Sequence, residues 1–363
     1  MTTDQATQPR DFYRDPDADT RVTSTLRSYL RFYRDGQYAE GAPDAQDAAA
    51  AHTQRHTDYA QMVNQYYDLA TDFYERGWGK SFHFAPRFAG EAFAASLARH
   101  EHYLALRLGL GKGQTAVDVG CGVGGPMRAI ARFSGASVDG VNNNAYQLEK
   151  LARYNQEAGL DQRCRGIKAD FMALPMADGT YDAAYAVEAT CHAPDRAGVF
   201  REIARVLKPG GRFAVYEWCL TDRYDPENAT HRRIKRDIES GDGLPDMCST
   251  HAIFSAMREA GLEVEDSADL AETSDPSTPW YAPLEGEGRD FTSVRRSAPG
   301  RFVSNRLIGL FEQLKIIPAG SKAVSDMLNV GADALIEGGR LGIFTPCFFV
   351  LARKPAGNAG QPA

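Results

Sequence analysis

Along the middle of the chain, short runs of apolar residues alternate with longer stretches in which apolar positions recur three and four apart. The short runs fit strands buried on both faces, and the longer stretches fit amphipathic helices. Ala116–Val119, Ser137–Asn142, Gly166–Asp170, Tyr181–Glu188 and Arg212–Glu217 are predicted as strands. Pro126–Phe133, Tyr146–Ala158 and Gly198–Leu207 are the helices between them, the first carrying a proline where an initial helical turn accepts one. Lys208-Pro209-Gly210-Gly211 reads as a turn before the fifth strand. Thr250–Ala260 then predicts a helix, Leu262–Asp266 a short strand after the Gly261 stop, and Ile343–Arg353 a closing strand. This pattern predicts an α/β fold: a doubly wound, mostly parallel seven-stranded sheet, with ligands at the carboxyl ends of its strands.

Two segments interrupt the alternation. Residues 222–248 form a small insertion, and roughly 270–340 a larger one, with an acidic, proline-rich loop (Glu272–Gly288) and helical patterns over 301–316 and 320–337. Insertions at strand ends are where substrate lids belong. At the other end, residues 1–20 are polar and predicted to be disordered. Val22, Leu26, Tyr29, Leu30 and Tyr33 follow at helical spacing, with Arg21, Arg27, Arg31 and Arg34 interleaved. That pattern fits a basic amphipathic helix for membrane contact, a helix packed over a cleft, or a peripheral helix docked on the core. Residues 36–50 read as a loop. The expected organisation is an N-terminal segment (1–60), a core with an aromatic segment (61–268), an inserted lid (269–340), and a final strand with a disordered tail (341–363).

Composition narrows the class without naming it. The chain of 363 residues is 43% hydrophobic and 25% charged, as ordinary globular proteins are. A net charge of -7 argues against nucleic acid as a partner, which needs clustered Lys and Arg. Six cysteines show neither CxxC spacing nor paired histidines, so no metal site is expected and a reducing compartment is. No apolar run approaches the ~18 residues that span a bilayer. The expectation is a cytoplasmic protein, soluble or peripheral to a membrane. Homo-oligomerisation stays open.

Chemistry concentrates first at Asp118-Val119-Gly120-Cys121-Gly122-Val123-Gly124-Gly125. An acid ends a buried strand, and glycines let the backbone press against a ligand that any Cβ would push away. The dinucleotide fingerprint places its third glycine three positions after the second, whereas here the spacing is G-x-G-x-G. That points to S-adenosyl-L-methionine as cofactor. Asp118 is expected to order the loop, and Asn142, where an acid usually grips the ribose, can accept one hydrogen bond and donate another. Gln147 can reach the same ribose, and Asp170-Phe171 can hold the adenine amine and pack on its base.

Second comes a dense aromatic stretch, with Tyr66, Tyr67, Phe73, Tyr74, Trp78, Phe82 and Phe84. Ring faces attract cations by ~0.5–2 kcal/mol each, which suits a bulky apolar substrate on which positive charge appears. The same rings could instead pack an N-terminal cap on the sheet. Glu188 and His192 stand four apart after the fourth strand, and Glu217 lies between Tyr216 and Trp218 at the end of the fifth. His100 and His102 flank Glu101, but an i, i+2 pair does not share a helical face. Cys191 reads as a small apolar filler.

These motifs resemble those of the sterol 24-C-methyltransferases. The match is carried by Tyr74-Glu75-x-Gly77-Trp78-Gly79, Phe82-His83-Phe84, Gly90-Glu91, Arg99 to Ala105, Asp118 to Pro126, Asn142-Asn143-Asn144, Glu188 to Pro194 and Tyr216-Glu217-Trp218. It continues through Gly241-Asp242-Gly243, Pro279-Trp280-Tyr281 and Phe344-Thr345-Pro346, and so covers about residues 60–355. The resemblance implies a Rossmann-like class I methyltransferase core with an N-terminal helical cap and a C-terminal helical insertion over the sterol. It implies methyl transfer to C24 of a sterol side-chain alkene, with a cation at C25, a hydride shift and removal of a proton. Methylation of another sterol carbon or of a non-sterol polyprenoid alkene, and a sterol-binding protein without turnover, are the competing readings.

Residue by residue, the resemblance implies Tyr74 and Trp78 as cation-stabilising rings, Glu188 and Glu217 as acids of the pocket, and His192 and Glu101 near the sterol head or the departing proton. The base is left unassigned. The expected cofactor set is Tyr67, Asp118, Gly120, Cys121, Gly122, Asn142, Asn143, Gln147, Asp170, Phe171 and Glu188. The expected substrate set is Tyr74, Trp78, Phe82, His83, His100, Tyr216, Trp218 and Trp280. One departure stands out: Arg76 occupies a position where the family usually has an aromatic residue. A guanidinium inside a cation pocket would repel the developing charge, so Arg76 faces outward or the substrate differs.

Overall fold

The computed structural model describes Tyr13 and residues 17–34, 45–286 and 298–356. Its strands are β1 (Thr115–Val119), β2 (Ser137–Asn142), β3 (Cys164–Lys168), β4 (Tyr181–Val187), β5 (Leu207–Leu220), β6 (Glu263–Asp269) and β7 (Phe344–Arg353). They form one seven-stranded sheet in the order β3-β2-β1-β4-β5-β7-β6. The first five run parallel, and β7 is antiparallel to both of its neighbours. From β1 the chain winds outward to β3 and then returns to place β4 on the other side of β1. Such a reversal opens a crevice between two strand ends, where ligands bind.

The described helices are α1 (Ala18–Leu30), α2 (Ala45–Thr57), α3 (Tyr59–Trp78), α4 (Phe93–Leu108), α5 (Gly125–Ser134), α6 (Ala145–Glu157), α7 (Arg196–Val206), α8 (Ala229–Asp242), α9 (Thr250–Glu259), α10 (Ala282–Glu285), α11 (Ala298–Gln313) and α12 (Ser321–Leu341). One face of the sheet packs Phe200 and Ile203 of α7 with Ile253 and Met257 of α9. The other packs Leu104 of α4, Met127 and Ile130 of α5 and Leu151 of α6. Fully burying each such side chain stabilises by ~1.5–3 kcal/mol. Strand β7 is buried throughout except at Arg353, because both of its faces are covered.

Two smaller clusters build a roof over the carboxyl ends of the strands. In the first, Val22, Leu26 and Tyr29 of α1 pack on Met62, Tyr66 and Leu69 of α3 and on Val324 and Met327 of α12. The apolar side of α1 is therefore used up inside the protein, which selects the docked-helix alternative. Tyr29 and Tyr33 donate their hydroxyls to the carbonyls of Ser240 (2.6 Å) and Leu244 (2.9 Å), tying the cap to the end of α8. In the second, α8 and α12 cross with their backbones in contact: a Cβ on Gly241 would sit 2.4 Å from the Cα of Gly331.

Some elements differ from the sequence reading. Helix α1 starts at Ala18, within the stretch expected to be disordered, and α2 covers the last part of the expected 36–50 loop. The remainder of both stretches, apart from Tyr13 and Asp17, lies outside the described residues, as does the tail from residue 357. The expected turn at Lys208–Gly211 is a bulge within β5, looped out between the pairs Tyr181–Leu207 and Ala183–Arg212. The acidic loop from Glu272 contains the short helix α10, and its end, 287–288, is outside the described residues. Strand β3 ends at Lys168, so Asp170 sits in the turn beyond it. Among the described residues, no helix is long and apolar enough to cross a membrane.

Candidate active site

Two cavities meet under the roof. One follows the glycine loop after β1 and the end of β2. The other lies between the aromatic segment and α12. Tyr67, Phe82, His83, Glu188 and His192 line both, so one wall separates and joins them.

The first cavity has the form the glycine loop predicts. A Cβ on Gly122 would meet nothing closer than Phe82 Cδ2 at 4.0 Å, so the missing side chain leaves open cleft. Gly120 has another reason: its Cβ would strike that of Ala189 at 2.3 Å, where the chain leaves β4. Gly125 has a third. A Cβ there would lie 2.0 Å from the carbonyl oxygen of Lys80, because the segment after α3 crosses directly over the loop. Asn142 Nδ2 donates to Gln147 Oε1 at 2.8 Å and to the Gly122 carbonyl at 3.2 Å, which sets both amides along the cleft.

Cys121, Asn143 and Phe171 also line this cleft, whereas Asp118 and Asp170 stand behind it. Asp118 is buried, with one carboxylate oxygen lacking a partner, and burial pushes it up to about 7 against the moderating Tyr185 hydroxyl. Asp170 accepts from the Tyr59 hydroxyl and from the Met172 N–H at 2.8 Å, while the Tyr59 ring stacks on Phe171. An open glycine cradle, two amides beside it and a ring at its far end fit the nucleoside and aminoacyl parts of S-adenosylmethionine.

The second cavity is walled by rings. Tyr74 and Trp78 from α3, Phe82 and Phe84 from the segment after it, and Trp218 from β5 line it. Trp78 is held by a hydrogen bond from Nε1 to the His83 carbonyl (2.8 Å) and by edge contact with Phe84. Opposite the rings stand Leu328, Ala332 and Leu335 of α12, with Leu244 and Leu284. Trp280 supports Phe84 from behind, with ring centroids 5.0 Å apart. Arg76 is exposed and lines neither cavity. Its guanidinium is outside the ring-walled space.

Carboxylates and histidines mark the wall. Glu188 has φ 51°, a left-handed conformation uncommon for a residue with a Cβ and frequent at functional sites. Its carboxylate accepts from the Phe84 N–H (2.7 Å) and from Trp218 Nε1 (2.8 Å). Burial pushes it up to about 8, against the pull of His83 and these donors. His192 donates from Nδ1 to the Gly243 carbonyl (2.9 Å), so its Nε2 accepts the Tyr67 hydroxyl (2.8 Å). Burial lowers it to about 4, so the ring is neutral at pH 7.

His83 is the opposite case. Burial opposes its charge, but both ring nitrogens face acceptors, Phe84 O at 2.7 Å and Glu101 Oε1 at 3.2 Å. Glu101 and Glu188 outweigh the burial and hold it above its ordinary value. Glu101 itself lines neither cavity; it sits behind His83 and accepts from Ser81.

Three further predicted residues are not brought to the cavities. Glu217 is fully buried on the far side of β5, accepting from Thr190 and facing Arg196 at 3.8 Å. Successive strand residues point to opposite faces, so Trp218 reaches the cavity and Glu217 does not. Tyr216 stacks on His100 at 3.6 Å, also behind the wall. His102 stacks on Phe133 instead, so His100 and His102 share no ligand.

One residue escaped the sequence reading. Asp242, at the end of α8, lines the ring-walled cavity. Its Oδ1 accepts the Tyr74 hydroxyl at 3.2 Å, its Oδ2 is buried without a partner, and burial pushes it up to about 7. The available signal was the Gly241-Asp242-Gly243 string, in which Gly243 ends the helix at φ +70° and Gly241 admits the backbone of α12.

Residues 117–215 match a family model described as a methyltransferase domain, and residues 291–356 one described as sterol methyltransferase C-terminal. The cycloartenol-C-24-methyltransferase of Arabidopsis thaliana is 52% identical over 302 residues, covering 83% of this chain and 89% of its own. The sterol 24-C-methyltransferase of Saccharomyces cerevisiae is 46% identical over 320 residues, covering 86% and 83%. Among solved structures, geranyl diphosphate C-methyltransferase from Streptomyces coelicolor superposes with a TM-score of 0.58 at 19% identity, over 82% of this chain and 98% of its own. The cyclopropane synthase MmaA2 from Mycobacterium tuberculosis gives 0.62 at 16% identity, over 80% and 96%. These two share the fold, while the sequence relatives, matched over most of their length, decide the family: the chain belongs to the sterol 24-C-methyltransferases.

Proposed function

We propose that the protein transfers a methyl group from S-adenosylmethionine to C24 of a sterol side-chain alkene. The observation that carries the reading is the shared wall: a cleft shaped for the donor opens onto a ring-lined chamber through Tyr67, Phe82, His83, Glu188 and His192. Gly122, Asn142, Gln147 and Phe171 would hold the donor, which supplies an electrophilic methyl group on a sulfonium. The apolar residues of α12 and the rings opposite hold the alkene and keep water out.

Positive charge then develops on the substrate among Tyr74, Trp78 and Phe82, whose faces stabilise it where no solvent competes. Asp242 is our choice for the group that takes the final proton. It lines the chamber and has a buried, unpartnered oxygen, and its raised value of about 7 lies near working pH, where a base is most effective. Glu188, held at about 8 and so protonated at pH 7, stands at the junction of the two cavities. His192 stays neutral and fixes the Tyr67 hydroxyl.

Incubation with labelled methyl donor and desmosterol, zymosterol, cycloartenol or squalene tests the reading. Label is expected in a 24-methylated sterol. Label in squalene alone, or in no product despite donor binding, would overturn it.

A further inference from the structure

Helix α11 is docked on the protein through its polar side. Arg301 pairs with Asp333 of α12, Asn305 Nδ2 donates to Asp326 at 2.6 Å, and Glu312 accepts the N–H groups of Gly320 (3.1 Å) and Lys322 (2.7 Å). These positions share one helical face. The opposite face carries Phe302, Val303, Leu307, Leu310, Phe311 and Leu314, all between 40% and 62% exposed. A helix that helps to build a core has the reverse polarity. Of the twelve large apolar side chains exposed among the described residues, seven fall within 302–316, which makes a patch rather than scattered singles.

Charge selects what covers it. Within 302–316 the exposed charged residues are Arg306 and Lys315, while the one acid, Glu312, is turned to the N–H groups of Gly320 and Lys322, in a protein of net charge -7. A second copy would bring the same positive excess to the same face, whereas an anionic headgroup layer complements it. Arg306, on the apolar face itself, lies along it with its guanidinium carbon 5.1 Å from the Phe302 ring centre. A long cationic side chain on an apolar surface reaches for a polar boundary in this way.

We propose that α11 lies in the interfacial layer of an anionic membrane, with Phe302, Leu307, Leu310 and Phe311 inserted among the acyl chains. The contact goes beyond the methyl-transfer reading and does not depend on it, though its position is apt for a lipid substrate. Helix α11 packs on α12, and α12 walls the ring-lined cavity with Leu328, Ala332 and Leu335.

Flotation of the full chain with vesicles tests this without reference to turnover. The wild type should float with vesicles of phosphatidylcholine plus phosphatidylglycerol, and less with phosphatidylcholine alone or at high salt. Phe302→Ser/Phe311→Ser should lower partitioning roughly tenfold or more, and Arg306→Ala or Lys315→Ala about fivefold each. Because these side chains are exposed, melting temperatures should stay within about 2 °C of wild type, which separates lost binding from lost folding. A wild type that does not float, or a doubly substituted protein that floats equally well, overturns the proposal. So does a wild-type dimer in sedimentation that Phe302→Ser/Phe311→Ser converts to monomers while neither binds vesicles; the face would then be a self-association surface.

Discussion

The Tyr74 hydroxyl lies 3.2 Å from Oδ1 of Asp242, joining α3 to the end of α8 inside the ring-walled cavity. The bond holds one carboxylate oxygen, and the other is buried without a partner. Asp242→Asn keeps an acceptor for Tyr74 but cannot take up a proton. Turnover should fall by roughly 10²–10⁴ with donor affinity unchanged, measured by single-turnover kinetics and calorimetry. Near-normal turnover would move the proton to another acceptor.

Trp78→Leu keeps apolar bulk at the cavity wall and removes a ring. Losing ~0.5–2 kcal/mol of cation stabilisation should slow turnover by roughly 2- to 30-fold, with little change in donor affinity. An unchanged rate would mean that the rings only pack the cap.

Two glycines of one loop should fail in different ways. Gly120→Ala drives a methyl group into Ala189, 2.3 Å away, at a φ of +84°, and should destabilise the fold by roughly 1–3 kcal/mol. Gly122→Val points into open cleft, so folding should suffer mainly from its φ of +54°, by about 1–2 kcal/mol. Its donor affinity, however, should fall by roughly a hundredfold or more, since the side chain fills the cradle. Thermal melts and calorimetry on both variants check the distinction; normal donor binding by Gly122→Val would remove the cofactor assignment.

Burial holds Glu188 at about 8 and Asp118 and Asp242 at about 7, against ordinary values of 4.5 and 3.8. In the folded chain these groups keep protons that the unfolded chain has released. Their contribution is complete below the unfolded values and is lost as pH climbs through 7 and 8. Unfolding free energy should therefore drop between pH 7 and 8.5, by about 1.4 kcal/mol per pH unit for each proton held. Glu188→Gln should flatten the drop. Denaturant titrations at pH 7 and 8.5 that coincide for wild type would contradict it.

Legibility in the sequence followed the origin of each constraint. The glycine-lined cleft was readable because close backbone approach can be met only by glycine, so Gly120, Gly122 and Gly125 record it directly. The sheet was readable because strands buried on both faces leave unbroken apolar runs. Glu217 read as a pocket acid because it stands between two rings, yet pleating turns it to the other face from Trp218. Asp242, Leu328, Ala332 and Leu335 come from insertions whose placement depends on the α8–α12 crossing, which no local spacing encodes. The outward apolar side of α11 was invisible for a related reason. Periodicity predicts a helix but not which side meets the protein.

Lys80 lies so close over Gly125 that not even a methyl group fits between them. The strip of chain that walls the ring-lined chamber is thereby moulded on the glycine loop. Remodelling that strip to admit a bulkier lipid would disturb the donor as well, so breadth of substrate and grip on the methyl source are coupled traits. Variants selected for one should carry compensating changes in the other.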